Sequence, residues 1–553
     1  MNQPTAGEKH GVFRFAAIIS AAVSLSRVTG LVREMVMARL FGAGAVNDAF
    51  QLGFRIPSLS RNLFAEGALS SAFVPVFTHY LATKGKREAA ELSNLVATAL
   101  IVVVGALSVS GMVFTPQLLR LMAPGFEAVP GKFELAVLLT RIMFPFLLLV
   151  ALAAQAMGVL NACDQYGIPA LASACFNVGS VVFGLALGFT VGRSFGRGLI
   201  VSMACGVLGG GALQLVWQMP SVIRAGFAPR LRLDFRHPGL RRIFGLMLPA
   251  ILGGAAVQIN VIVNTNLASN IRDASGHVIN GPVSWLGYAF RFMQLPLGVF
   301  GVAIASATLP AISRSAARER MDEFRATLAR SLGMVLLLTI PSSVGLAVLG
   351  ESMIGAVYQW GRFQPFDTHQ TAVALACYSA GLAGYAAVRL LAPAFYALND
   401  ARTPMLVSVA SIAVNMASAY TLVKWTGMGH AGLALSTSIV ALFGALTLLL
   451  ILRERIHGIH GKTLASSALK IAAAAAIMGV ACRASSGAIH ALGFGKPAQL
   501  ADVAISIPLG LAVFYAAARA FRVEELQVVR AACYTSIRNA SRPEAGDPPA
   551  RNR

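Results

Sequence analysis

Residues 54–75 read FRIPSLSRNLFAEGALSSAFVP, a stretch set among membrane-length apolar segments that nevertheless carries Arg55, Arg61 and Glu66. An arginine near the middle of a bilayer costs roughly 2.5 to 3.5 kcal/mol on insertion scales, so such residues face a bundle interior or a watery cavity in preference to lipid. Pro57 withholds a backbone donor, and Gly67, Ser70 and Ser71 keep the following turns slim enough for close helix contact. A bent, cationic, small-faced helix of this kind points to a transport pathway. Taken singly, Arg55 or Arg61 could also lie at an interface and snorkel.

The rest of the chain fits a membrane setting. Of 553 residues, 56% are hydrophobic and 12% charged, with mean hydropathy +0.69, which excludes the soluble classes. Apolar runs of about 20 residues recur from end to end, without the alternation of barrel strands. They predict an all-α polytopic membrane protein of about fourteen transmembrane helices. These fall at 15–39, 49–82, 91–115, 134–160, 168–192, 198–223, 240–268, 283–311, 327–350, 372–397, 404–423, 430–452, 464–483 and 500–521. The formal charge of +22 would suggest nucleic acid in a soluble chain. Here the basic residues gather in a few loops, so no nucleic-acid partner is expected and topology explains them. Lys84, Lys86 and Arg87, then Arg224 to Arg242, Arg314 to Arg325, and Arg453 to Lys462 place both termini in the cytoplasm. The six cysteines are scattered without a CxxC pair and read as small reduced hydrophobes.

An internal repeat organises these helices. Phe54-Arg55 and Phe64 in the second helix recur as Phe290-Arg291 and Phe300 in the eighth, and Ser71-Ala72-Phe73-Val74-Pro75 recurs as Ser306-Ala307-Thr308-Leu309-Pro310. Leu160-Asn161 before Pro169 is echoed by Leu398-Asn399 before Pro404. Two six-helix units entering the membrane in the same orientation follow, a parallel repeat of the kind that holds substrate at its interface. The expected lobes are 1–224 with helices one to six and 225–455 with helices seven to twelve. Residues 456–522 form two additional helices, and 523–553 a polar cytoplasmic tail.

The charged residues inside the spans suggest the ligand. In the first helix Arg27 and Glu34 stand seven residues apart, two turns along one face, with Arg33 beside Gly30 on an adjacent face. Arg291 has no acid nearby in sequence. If Arg27, Arg61 and Arg291 share one cavity, leaving them bare costs on the order of 8 to 10 kcal/mol by the same scale. A phosphate-bearing substrate would neutralise them, since the planar guanidinium fork suits phosphate. Asp48 and Glu66 are candidates for holding one arginine while another stays free. His457-x-x-His460 reads as a solvated turn, so no metal site is expected, and the glycines of GVLGGGAL read as helix-packing surface. Asn161, Asn177, Asn260, Asn264 and Asn415 read as interhelical hydrogen-bond glue. No HExxH, GxSxG or acidic metal cluster is present, which argues against a glycosyltransferase or other membrane enzyme.

SRVTGLVRE, FGAGAVNDAF, RIPSLSRNLFAEGALSSAFVP, PVSWLGYAFRFMQLPLGVFGVAIASATLP and APAFYALNDARTP together resemble the MurJ/MviN lipid II flippases of the multidrug/oligosaccharidyl-lipid/polysaccharide exporter superfamily. The resemblance implies two lobes in a V around a cationic cavity, with the two last helices forming a groove for a lipid tail. It also implies flipping of undecaprenyl-pyrophosphate-linked disaccharide-pentapeptide, lipid II, from the cytoplasmic to the periplasmic leaflet of the bacterial inner membrane. By motif position the substrate-binding residues would be Arg27, Arg33, Arg61 and Arg291, and the gating or charge partners Glu34, Asp48 and Glu66. Relatives carry an acid beside or after the eighth-helix arginine, where this chain has Phe290 and Gln294. Some members hold sodium with acids on the seventh and eleventh helices, where Asn264 and Asp400 stand here. No cofactor is implied; sodium, a proton or the membrane potential would drive the cycle, and cell-wall synthesis proteins would be partners. The alternative within the superfamily is an exporter of another polyprenyl-linked glycan or of small molecules. A non-transporting scaffold would leave the intramembrane arginines unexplained.

Overall fold

The structure is a computed structural model that describes residues 6–61, 69–190, 198–298, 302–459, 461–493 and 495–527. The described chain is helical almost throughout: α1 Ala6–Phe41, α2 Ala45–Arg61, α3 Ser70–Thr83, α4 Gly85–Val113, α5 Thr115–Met122, α6 Lys132–Met143, α7 Phe146–Ala162, α8 Gly167–Thr190, α9 Gly198–Arg224 and α10 Pro238–Ser269. It continues with α11 Pro282–Pro296, α12 Val302–Ala317, α13 Met321–Tyr358, α14 Pro365–Ser379, α15 Leu382–Ala397, α16 Arg402–Lys424, α17 Gly429–Arg455, α18 Gly461–Leu492 and α19 Lys496–Ala520. Among the described residues nine helices, or ten if the bent pair α14 and α15 is one span, are long and apolar enough to cross a membrane. The first, second, seventh and eighth expected segments fall outside that set, and each includes residues that are not fully described.

Some expected single helices are described in two pieces. The second is described as α2 and α3 and the eighth as α11 and α12, with residues 62–68 and 299–301 between them outside the described residues. α2 runs through Pro57 to Arg61. The fourth is α6 and α7, which meet at a turn at Phe144-Pro145, where proline cannot donate to the preceding turn, and together make one membrane-length span, Lys132–Ala162. The tenth bends by 43° between α14 and α15.

The described contacts separate two compact units. The first takes in Met1–Arg291, Val357–Ala374 and Ser408–Thr437, and the second Phe292–Ala356, Leu375–Val407 and Ser438–Arg553. In the first, α8 and α9 pack backbone to backbone. A Cβ at Gly210 would lie 2.6 Å from the Phe176 carbonyl oxygen, and one at Gly206 would collide with that of Ser180. The glycines of GVLGGGAL thus act as packing surface, with dispersion contacts and backbone proximity replacing a hydrophobic drive that lipid cannot supply. In the second unit, α18 and α19 close on α13 through Leu337, Leu349, Ile471, Met478 and Phe514. Inside this packing Asp502 is fully buried, accepting hydrogen bonds from Ser352, Ser486 and Ser506. Three hydroxyl donors satisfy a carboxylate that lipid would leave bare.

Candidate substrate site

In the first unit, α1, α2, α8 and α11 bring charge together around Glu34. The Glu34 side chain is buried, at 6% exposure, and its Oε1 accepts from Arg33 Nη2 at 2.9 Å and Arg291 Nη2 at 3.0 Å, while Gln51 Nε2 lies 3.4 Å from Oε2. The guanidinium carbon of Arg33 sits 5.1 Å from the Phe54 ring centre and 5.4 Å from that of Phe176, a cation–π arrangement that fixes its plane. Arg33, Glu34, Gln51, Phe54, Ser180 and Arg291 line a small enclosed cavity of about 30 Å³. Two cations meet one anion here, so the group carries net positive charge. Arg291 is the accessible member, its side chain 41% exposed against 12% for Arg33.

The sequence leaves Arg291 without an acid; the structure supplies one from the far end of the first unit's chain. Glu34 is the partner, which corrects the expectation of a bare arginine and offsets the acid missing from Phe290 and Gln294. Arg27, half-buried, lies two turns before Glu34 on α1, about 10 Å along the axis. Arg61 ends α2, but its side chain is outside the described residues, and so is the whole of Glu66. Arg55, which occupies in the first repeat the place of Arg291 in the second, donates from Nη1 to Thr265 Oγ1 at 2.7 Å.

Asp48 was expected to hold an arginine and instead holds a lysine. Its Oδ2 lies 2.8 Å from Lys132 Nζ, with both side chains 1% exposed. The same carboxylate accepts from the backbone of Gly281 (2.8 Å) and Ser284 (2.9 Å) and from Ser284 Oγ (2.7 Å). It therefore caps the N-terminus of α11, where free N–H groups and the helix dipole favour an anion. Lys132 also donates to Asn280 Oδ1 (2.9 Å) and faces the Phe126 ring. Asn47 adds bonds to Ser284 Oγ and Tyr288 Oη, each at 3.0 Å. Lys132, two residues before the expected fourth helix, is a functional residue that no motif points to; its signal in the sequence is a lone base at the edge of a span.

The two residues considered for a cation are each already committed. Asn264 donates to Thr437 Oγ1 (3.0 Å) and accepts from Asn415 Nδ2 (3.1 Å), an interhelical amide network as expected for these asparagines. In the second unit, Asp400 caps α16 by accepting from the Arg402 and Thr403 backbones and from Thr403 Oγ1 at 2.6 Å, and it pairs with Arg455. Those bonds and the Arg455 charge hold its carboxyl below the usual carboxylate range.

With this geometry in place, the profile of the lipid II flippase MurJ family matches residues 37–495. The chain belongs to that family. A lipid II flippase MurJ of Burkholderia cenocepacia is 34% identical over 448 residues, covering 80% of this chain and 84% of that protein. A probable lipid II flippase MurJ of Rhizobium meliloti is 34% identical over 475 residues, 85% of this chain and 86% of its own. The solved structure of a MurJ in an inward closed conformation superposes with a TM-score of 0.73 at 26% identity, over 91% of this chain and 99% of that one. An inward-facing multidrug resistance transporter of the MATE family shares the fold, with a TM-score of 0.66 at 14% identity over 81% of this chain and 99% of its own. The MurJ family is thus reached from the sequence motifs, the family profile and the fold alike.

Proposed function

We propose that this protein flips lipid II from the cytoplasmic to the periplasmic leaflet of the bacterial inner membrane by alternating access. It is a transporter; the step makes and breaks no covalent bond. The observation that carries the proposal is the two-cations-to-one-anion group of Arg33, Arg291 and Glu34 on α1 and α11, which the sequence reading assigns to the first and eighth spans. A pyrophosphate entering from the cytoplasmic side meets Arg27 first and then competes with Glu34 for the accessible Arg291. Two phosphates offer more acceptor oxygens than one carboxylate, so the exchange favours the ligand. Releasing Glu34 from Arg291 unties α1 from α11. The lobes 1–224 and 225–455 then rock while the prenyl tail stays with the helices of 456–522. A ligand shifts such an equilibrium only by binding one state better, and the exchange at Arg291 supplies that difference.

With both termini cytoplasmic, the Asp48–Lys132 group lies toward the outer end of the bundle and closes it until the substrate is bound. Resetting draws on the membrane potential, sodium or a proton, with Asn264 and Asp400 the positions to probe for a cation. Enzymes of cell-wall synthesis that consume lipid II are the expected partners. The chief rival is export of another polyprenyl-linked glycan by the same cationic group; cationic drugs would be repelled by it. The test is depletion in the native bacterium with a leaflet-resolved assay of the lipid-linked precursor. Precursor trapped on the cytoplasmic side, and rescued by the wild-type chain but not by Glu34→Gln, supports the proposal; unchanged sidedness on depletion overturns it.

A further inference from the structure

A second basic site lies apart from the Glu34 group. In the first unit a cavity of about 740 Å³ opens where α1 ends and α2, α6 and α9 begin, with Arg39 and Arg362 at its edge. Both arginines are exposed, and neither guanidinium has an ion-pair or hydrogen-bond partner among the described residues. Two segments remote in sequence fix them side by side. The Arg362 amide donates to the Arg39 carbonyl at 3.0 Å. Gly42 and Gly361, with φ of +65° and +63°, make the two turns, and a Cβ on Gly42 would lie 2.6 Å from the Arg362 carbonyl oxygen while one on Gly361 would collide with that of Arg39. Only glycine allows both the left-handed backbone and the approach. Among the described lining residues there is no carboxylate, and the Lys132 at the cavity floor is already neutralised by Asp48.

Two solvated arginines need no ligand, and exposure alone would leave them as surface charge. Here, however, like charges are pinned at one mouth by a backbone contact, with apolar walls from Leu135, Leu199 and Ile200 and no acid to relieve them. Arginine forks in such a frame match phosphate oxygens. We propose that this cavity is an anion site at the outer membrane surface that takes the phosphate or pyrophosphate ester of a lipid headgroup. It rests on the orientation given under Proposed function, and it would receive the headgroup after the central arginines release it. Lys132 lines the cavity and belongs to the Asp48 pair, so this site borders that group.

The test uses the full chain with its native cysteines replaced and Val46→Cys introduced in the cavity wall, in sealed right-side-out vesicles of phosphatidylcholine. A membrane-impermeant maleimide added outside should label it. A water-soluble, short-prenyl pyrophosphate disaccharide-pentapeptide at about four times its dissociation constant should slow labelling about fivefold. In the Arg39→Ala/Arg362→Ala background that protection should vanish. Protection by phosphatidylglycerol included in the vesicles, and not by the analogue, assigns the phosphate site to bulk lipid and overturns its role for substrate. Absence of protection by both, or equal protection without the two arginines, overturns the site. Labelling of Val46→Cys only from the cytoplasmic side overturns the orientation instead.

Discussion

Two acid–base groups in the first unit, barely more than one helical segment apart in sequence, have opposite character. At Asp48 one acid meets one base, both side chains are 1% exposed, and every carboxylate oxygen is occupied by neutral donors as well. At Glu34 one acid serves two bases, one of them 41% exposed. A charge-balanced, dry, saturated group holds geometry; an unbalanced, partly wet one is ready to exchange its anion. The family's transported lipid would act at the second and be gated by the first.

The comparison is broken most severely by Asp48→Ala. Removing one partner of a buried pair leaves Lys132 charged and dry, which should lower stability by about 3 to 5 kcal/mol. Denaturant or thermal unfolding of the purified chain checks this, and an unchanged midpoint would show that water reaches the pair. Next in size is Arg291→Ala, which should cut flipping at least about tenfold, roughly 1.4 kcal/mol. Its effect on unfolding should stay within about 1 kcal/mol, because Arg291 is the solvent-screened partner and Arg33 still pairs with the buried Glu34. A large stability loss with normal flipping would reverse the assignment of the two groups. Arg33→Lys keeps the charge and loses the ring contacts of Phe54 and Phe176; a loss of about 0.5 to 2 kcal/mol is expected, seen as a several-fold fall in flipping.

The smallest effect concerns Asp400, outside both groups. Its folded carboxyl titrates below its unfolded value, so its capping contribution is present above pH about 4 and is lost as pH falls through the folded value. Once the intrinsic pH dependence of exchange is divided out, protection of the Arg402 and Thr403 amides should fall on acidification and stay constant over that range in Asp400→Ala. Equal exchange in both proteins would remove the cap.

Much of this was legible in the sequence. Arginine inside apolar runs announced charge within the helices, and the structure sets Arg33 and Arg291 on one buried carboxylate. The family motifs named Arg33, Glu34, Asp48 and Arg291, all of which the structure sets in charge contacts. Pairing was not legible. Glu34 reaches Arg291 and Asp48 reaches Lys132 across long stretches of chain, and no local pattern specifies which acid meets which base. Bending was not legible either, because hydropathy averages across a bend such as the 43° one between α14 and α15 without registering it. Arg39 and Arg362 went unnoticed because their juxtaposition depends on two turn glycines rather than on any charged motif.

Asp48 and Ser284 each stand seven residues before the matched arginine of their repeat, and they touch each other. In an ancestral homodimer of unfused halves, symmetry would have placed either two carboxylates or two hydroxyls at this junction. A chain that carries both copies with different residues at the matched position can make one the acceptor and the other the donor. The lock thus depends on the two positions being unlike, an asymmetry that two identical halves could not supply.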